Sequence, residues 1–382
     1  MDIKDSVVRL YVKQFIIPKA LIFDKPGFVD FKISGKTNVF ARQLLVPESF
    51  FIELEKTIVK KYGDQGRSAI YSTGKKFGYA FSQLGRFENI KDHPGEGIRL
   101  WIAIASKFVE GTYASGINQT VDVQNKTVDY ILKNFVVCRK LGYDFFFATG
   151  GAAGIVAWLL QDKSIEGYFY NSKFEGENHV CQVKCAPFEI LKNTKAKNIF
   201  SETNLDNLAQ DILQYNKLNE EVEVRHTKSF SDYLDAKIFN YQNGIITLCA
   251  SNERFFLMEV QGLYLLELEL KQRKMNEDIF DIASKVGKSI FGNFITNIQY
   301  ITELTTALGW GEVNIISSIN KTTQVIINHF PWTKWYKDID FLIIRGFLSG
   351  LISNVNKRVV VLDKPKIDIH NGHLILMFNE KG

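Results

Sequence analysis

Apolar and polar positions along the chain fall into blocks of period two and blocks of period three to four. "FVDFKI" (28–33) and "NVFARQLLV" (38–46) alternate as paired strands do. After them Phe50, Phe51, Leu54, Ile58 and Tyr62 recur at helical spacing. Pro47 opens that helix, where its missing N–H costs nothing, and Gly63 supplies a stop. Further helices are predicted over 68–85 and 97–113, then strands over 118–124 and 127–137. Phe145 through Gln161 carry no charge, with Gly150, Gly151 and Gly154 in their midst. That run is shorter than the roughly 20 apolar residues a membrane span needs and is bounded by Asp144 and Asp162. It reads as a buried core helix. "KIDIHNGHLILMF" (366–378) places Asn371-Gly372 between two alternating runs, a type I′ hairpin signal. Strands and helices in blocks, without strict βαβ alternation, predict an α+β fold with helices packed on antiparallel sheet.

The pattern occurs twice. Asp144-Phe145, Gly150 and Gly154 share their spacing with Asp340-Phe341, Gly346 and Gly350. "NKTVDYILKNF" (125–135) matches "NKTTQVIINHF" (320–330), "STGKKFG" around Gly74 resembles "KVGKSIFG" around Gly287, and "FIELE" (51–55) resembles "LLELE" (265–269). Four collinear matches predict a tandem duplication. The expected boundaries are an N-terminal extension over 1–37, a first domain over 38–192, a connector with a short helix over 193–239, and a second domain over 240–382. Ser201 is the expected cap of the connector helix.

Composition narrows the function classes. A net charge of +5 with no basic run or Arg/Lys stripe argues against nucleic-acid binding. Four cysteines in 382 residues do not form a disulfide framework. Asp2 and Asp5 stand where a signal peptide needs positive charge, so a cytoplasmic start is expected. Thirty phenylalanines against seven prolines favour aromatic-rich cores.

"LLVPESFFIELEKTIVKKYGDQGRSAIYSTGKKFG" (44–78), the small-residue helix "GGAAGIVAWLLQD" (150–162) and the terminal hairpin together resemble the 4-vinyl-reductase domain family. That family shares its fold with the palmitate-channel subunits of the TRAPP tethering complexes. The resemblance covers nearly the whole chain, twice, on loose glycine and hydrophobic patterns. It implies domains that bind small hydrophobic or aromatic molecules between helices and sheet and that pair as dimers, here as a pseudo-dimer within one chain. It places Tyr71, Phe77, Trp101, Phe135, Phe145, Phe147, Gly150, Gly154 and Trp158 around a first pocket. Trp310, Phe330, Trp332, Trp335, Tyr336 and Phe341 take the same elements in the second copy. Core filling is the competing reading for each aromatic. Aromatic-sensing members carry a zinc site of cysteines and a glutamate; here only Cys181 matches, and Phe145 stands where the first cysteine would fall.

Other chemistry is sparse. Cys181 and Cys185 share a strand face near His179, but further zinc ligands would have to come from Cys138, His179 or Glu177, so buried cysteines are the expected reading and no cofactor is assigned. His370 and His373 flank a turn, as polar residues commonly do. The Gly-Gly-Ala-Ala-Gly run lacks both the dinucleotide-loop spacing and the P-loop ending, so it reads as close helix packing. No Ser/His/Asp or Cys/His arrangement can be assembled. The expected function is therefore non-catalytic binding of a hydrophobic or aromatic ligand, with the first copy holding it and the output passing through a protein partner or a homo-oligomer. A scaffold with filled pockets and an enzyme acting on a hydrophobic substrate are the alternatives. Gly154→Leu is expected to abolish binding.

Overall fold

The computed structural model describes residues 21–34, 39–138, 145–200, 203–206, 208, 222–242, 244–291, 294–317, 323–331, 339–370 and 373–381. The expected turn at Asn371-Gly372, the cap at Ser201, Asp144, and Trp332, Trp335 and Tyr336 lie outside them. The fold is α+β, with helices and antiparallel sheets. Its two compact units are not consecutive segments. The first comprises residues between 55 and 214 with Gln242–Ile245, and the second comprises Leu21–Leu54, the span from 215 to 241, and Ile246 onward.

The first unit begins within α1 (Glu48–Leu84). Gly63 interrupts that helix with φ 58° and ψ −131°, a conformation closed to most L-residues. The expected stop is thus a kink, and the helix resumes to Leu84. Then come α2 (Ile98–Tyr113), β4 (Gly116–Asp122), β5 (Thr127–Lys133), α3 (Phe146–Leu159), β6 (Ile165–Glu175), β7 (Asn178–Pro187) and the short α4 (Phe188–Leu191). The sheet order is β4-β5-β7-β6, which leaves β6 at an edge.

In the second unit, β1 (Leu21–Ile22), β2 (Asp30–Ser34) and β3 (Val39–Pro47) join a six-stranded sheet. Residues expected to be an extension before 38 therefore contribute two of its strands. After α5 (Phe230–Asp235) the chain adds β8 (Phe239–Gln242), β9 (Ile245–Leu248) and β10 (Glu253–Glu259). β10 pairs antiparallel with β3, Met258 opposite Leu44. Three helices follow, α6 (Val260–Gln272), α7 (Ile279–Ser289) and α8 (Ile298–Ala307). Then come β11 (Glu312–Ser317), β12 (Thr323–Phe330), α9 (Leu342–Asn356), β13 (Lys366–His370) and β14 (His373–Asn379). Their order, β11-β12-β14-β13, is the order of the first unit's sheet.

Each unit is locked by a helix crossing made with glycine. A Cβ on Gly150 or Gly154 would lie 2.1 Å from the carbonyl oxygen of Tyr71 or Lys75 respectively. In the second unit a Cβ on Gly346 or Gly350 would lie 2.3 or 2.0 Å from the carbonyls of Phe280 and Ser284. Real Cβ atoms do not approach backbone that closely, so the absent side chain is what lets these helices touch. Gly78, one helical turn beyond Gly74, meets the Gly151 carbonyl, and Gly287 makes a like contact with that of Phe347. Glu55 accepts the N–H of Phe146 at the start of α3 (3.0 Å), and Glu267 accepts those of Asp340 and Leu342 at the start of α9 (3.0 and 2.8 Å). Glu267, two residues before Glu269, takes the role in the second unit that Glu55 takes in the first. Both carboxylates are buried and hold the positive end of a helix whose own residues offer no cap.

Candidate functional site

A cleft of about 480 Å³ opens in the first unit. The resumed part of α1 contributes Asp64, Arg67 and Tyr71, and the first turn of α3 contributes Phe146 and Thr149. The run from Gly167 to Ser172 on β6 forms a third wall, so the cleft runs along an edge strand. Lys195, Ala196, Ile199 and Phe200, from the segment after α4, close the fourth side. Rings share the walls with polar groups: Phe200 packs on Tyr71 at 5.6 Å with Phe188 behind it at 6.2 Å, and Tyr168 neighbours Tyr170 at 6.4 Å. Rings interleaved with Asp64, Arg67, Asn171, Ser172 and Lys195 suit a ligand that has both an apolar and a polar part.

A buried polar cluster joins this wall. Tyr71 and Lys75 are four residues apart on one face of α1 and both meet Glu166, the second residue of β6. The Tyr71 hydroxyl donates to Glu166 Oε2 at 2.6 Å and accepts the N–H of Gly167 at 2.7 Å. Lys75 Nζ donates to Glu166 Oε1 at 2.6 Å and to the Lys163 carbonyl at 3.2 Å. Tyr71, Lys75 and Glu166 are 1%, 2% and 6% exposed, so the whole group sits away from water. Burial raises the Glu166 carboxyl above its ordinary range, opposed by the Lys75 ammonium. Burial, reinforced by the Glu166 charge, pushes the Tyr71 phenol well up and keeps it protonated. Cys185, opposite Gly167 in the β6–β7 ladder, is fully buried, and its thiol is pushed up first by burial and then by Asp129 and Glu166.

A buried ion pair is a poor source of net stability compared with apolar packing of similar volume. The second unit makes the same crossing without one: Phe280 and Ser284 take the backbone contacts that Tyr71 and Lys75 take in the first. Arg345 precedes Gly346 as Thr149 precedes Gly150. Its guanidinium lies 5.4 Å over the Phe280 ring and donates to the Leu362 carbonyl at 3.1 Å. The place beside the tyrosine's counterpart is thus occupied by a side chain of the protein itself.

Of the residues expected around the pocket, Tyr71 lines the cleft. Phe135, Phe145 and Phe147 form a chain of buried rings at 6.3 Å spacings, and Phe77 stacks on Phe147 at 5.8 Å. Trp101 stacks on His93 at 5.0 Å. Trp158 donates its indole N–H to the Phe87 carbonyl at 2.8 Å and meets Tyr79 edge-on. Gly150 and Gly154 face helix backbone, so Gly154→Leu perturbs the crossing and does not test binding. Trp310, Phe330 and Phe341 are buried in the second unit's core. Phe146, the middle residue of the triple phenylalanine, faces the cleft while its neighbours face the core, a distinction that helix phase determines.

The cysteine region does not gather ligands. Cys181 Sγ lies 3.4 Å from Cys138 Sγ, while His179 shares a 2.7 Å hydrogen bond with Ser172 and meets Phe174 edge-on. Among the described residues no three His, Cys, Asp or Glu side chains converge as a metal site would require. No helix among them is long and apolar enough to cross a membrane. No protein-family model matches the chain, and no curated protein does.

Proposed function

We propose that the chain is a cytoplasmic tandem of two 4-vinyl-reductase-like domains whose first unit binds a small hydrophobic or aromatic molecule without turning it over, passing occupancy to a protein partner. The cleft of about 480 Å³ carries this reading: it is walled by Tyr71, Phe146, Phe169, Tyr170 and Phe200, and it is large enough for a bicyclic or longer apolar ligand. Two further observations support it. The order of elements and the order of sheet strands recur in both units, as a duplicated domain requires. The buried Tyr71–Glu166–Lys75 group has no counterpart at Phe280 and Ser284, so the crossing itself does not call for it.

The second unit fits the scaffold alternative, because Arg345 covers Phe280. Native mass spectrometry tests the reading for the first. The expected result is a bound small molecule, released unchanged on denaturation, or a mass shift on adding fatty acids or phenols. Thr149→Arg, which places the second unit's arginine at the cleft wall, abolishes it. A clean apo mass with no shift on either addition overturns the reading. Release of a chemically altered molecule supports the enzyme alternative.

A further inference from the structure

Resting on the cleft as a ligand site, we infer that its occupant is an anion: an apolar or aromatic body carrying a carboxylate or similar monoanionic group, held by Arg67 and Lys195. The charges lining the cleft are Asp64, Arg67 and Lys195, two cations against one acid. They stand on two different elements, Arg67 on α1 and Lys195 on the segment after α4, so a group between them is approached from both walls.

Both cations have donors to spare. Arg67 uses Nη1 on Asp64 at 2.5 Å, and the rest of its five-donor fork meets no partner among the described residues. Lys195 is exposed and has no ion pair or hydrogen bond among the described residues. Asp64 is shared between Arg67 and the side-chain amide of Asn198 (3.5 Å), so its charge is already engaged. The other nearby acid, Glu166, is buried and matched by Lys75 and Tyr71, and repels nothing in the cleft beyond that neutralised pair. An incoming carboxylate meets a planar fork and an ammonium, the pairing that charge-assisted hydrogen bonds favour. Its body then lies against Phe169, Tyr170 and Phe200. A neutral molecule of the same shape gains the aromatic contact alone.

Matched probes separate the two contributions. 2-Naphthoate and 2-naphthamide have nearly the same shape and differ in charge. Titration calorimetry on the full chain at low salt is expected to show the naphthoate binding about tenfold more tightly than the amide, a gap that narrows as salt rises. The double variant Arg67→Gln/Lys195→Gln should remove that gap and leave naphthamide affinity unchanged, which also certifies that the cleft is intact. Equal binding of the two probes by the native protein overturns the anion assignment while leaving the cleft as an apolar site. A preference for naphthoate that survives in the double variant overturns the assignment of the two residues. Failure of both probes to bind overturns the ligand-site reading as well.

Discussion

Gly150 sits so close to Tyr71 that a Cβ on the glycine would lie 2.1 Å from the tyrosine's carbonyl oxygen. Its neighbour Gly151 differs: the nearest atom to a Cβ there is the Gly74 carbonyl oxygen at 3.8 Å, an ordinary contact. The two adjacent glycines therefore make opposite predictions. Gly150→Ala must push two backbones apart and should cost at least about 3 kcal/mol, in the range of severe overpacking. Gly151→Ala makes only an ordinary contact and removes a helix-weakening glycine, so it should be neutral or stabilising by up to about 1 kcal/mol. Urea denaturation of the two variants checks both, and equal effects would contradict the crossing geometry.

Much of this fold is written in local periodicity. The helices at 68–85 and 97–113 and the strands at 118–124 and 127–137 overlap described elements, though β4 lies two residues earlier and β5 ends at Lys133, because period two or period 3.6 needs only near neighbours. The glycine spacing in "DFFFATGGAAG" and "DFLIIRGFLSG" was legible as close packing for the same reason. Which glycine of "STGKKFG" makes the contact that Gly287 makes was less legible, since Gly74 and Gly78 are both small-residue positions one turn apart and only the crossing distinguishes them. The cleft was the least legible feature. Lys75 and Glu166 are 91 residues apart, and Arg67, Phe146, Tyr170 and Phe200 meet only once β6 is an edge strand. Composition offers no signal for such a meeting, and aromatic density points to the core, where Phe135, Phe145 and Phe147 lie.

Lys75 and Glu166 form an ion pair with side chains 2% and 8% exposed, and breaking such a pair strands a charge in the interior. Lys75→Met should destabilise the protein by about 3–5 kcal/mol. Adding Glu166→Gln removes the stranded charge while keeping an acceptor for Tyr71, so the double variant should recover most of the loss. The second unit, with Phe280 and Ser284 at the matching contacts, shows that the crossing tolerates an uncharged pair. Denaturant midpoints of the two single variants and the double one, compared as a cycle, test this. An additive double variant would mean that the pair is not coupled.

The four cysteines differ sharply in access. Cys249 is exposed, while Cys138, Cys181 and Cys185 are buried, and the Cys185 thiol is further held protonated by its surroundings. A thiol reagent acts on accessible thiolate. Native protein should therefore label quickly at Cys249 alone, and Cys249→Ser should label only on the timescale of unfolding. Mass spectrometry of the labelled chain reads this directly. Fast labelling at Cys138 or Cys181 would show that the core around β7 opens far more readily than its packing implies.

Glu267 makes stability depend on pH in an unusual direction. Burial raises its carboxyl from 4.5 to about 7, opposed by the N–H groups of Leu342, Asp340 and Ile343 and reinforced by the Asp340 charge. Arg345 is the cation whose charge Glu267 influences from within α9. The folded protein binds this proton more tightly than the unfolded chain does. The contribution is therefore complete below pH 4.5 and is lost as pH rises through about 7, amounting to about 3 kcal/mol. Glu380 behaves oppositely: Arg358 holds its carboxyl down at about 2, so its contribution is lost only as the solution is acidified below 4.5. The two windows do not overlap, and a substitution at one can be read without interference from the other. Glu267→Gln keeps an acceptor for the helix N–H groups without a titrating proton. Its stability should therefore stay flatter than that of the native protein between pH 4.5 and 7, overtaking it toward neutrality. Thermal melts of both proteins across that range decide the matter, and parallel curves would place the Glu267 carboxyl in contact with solvent.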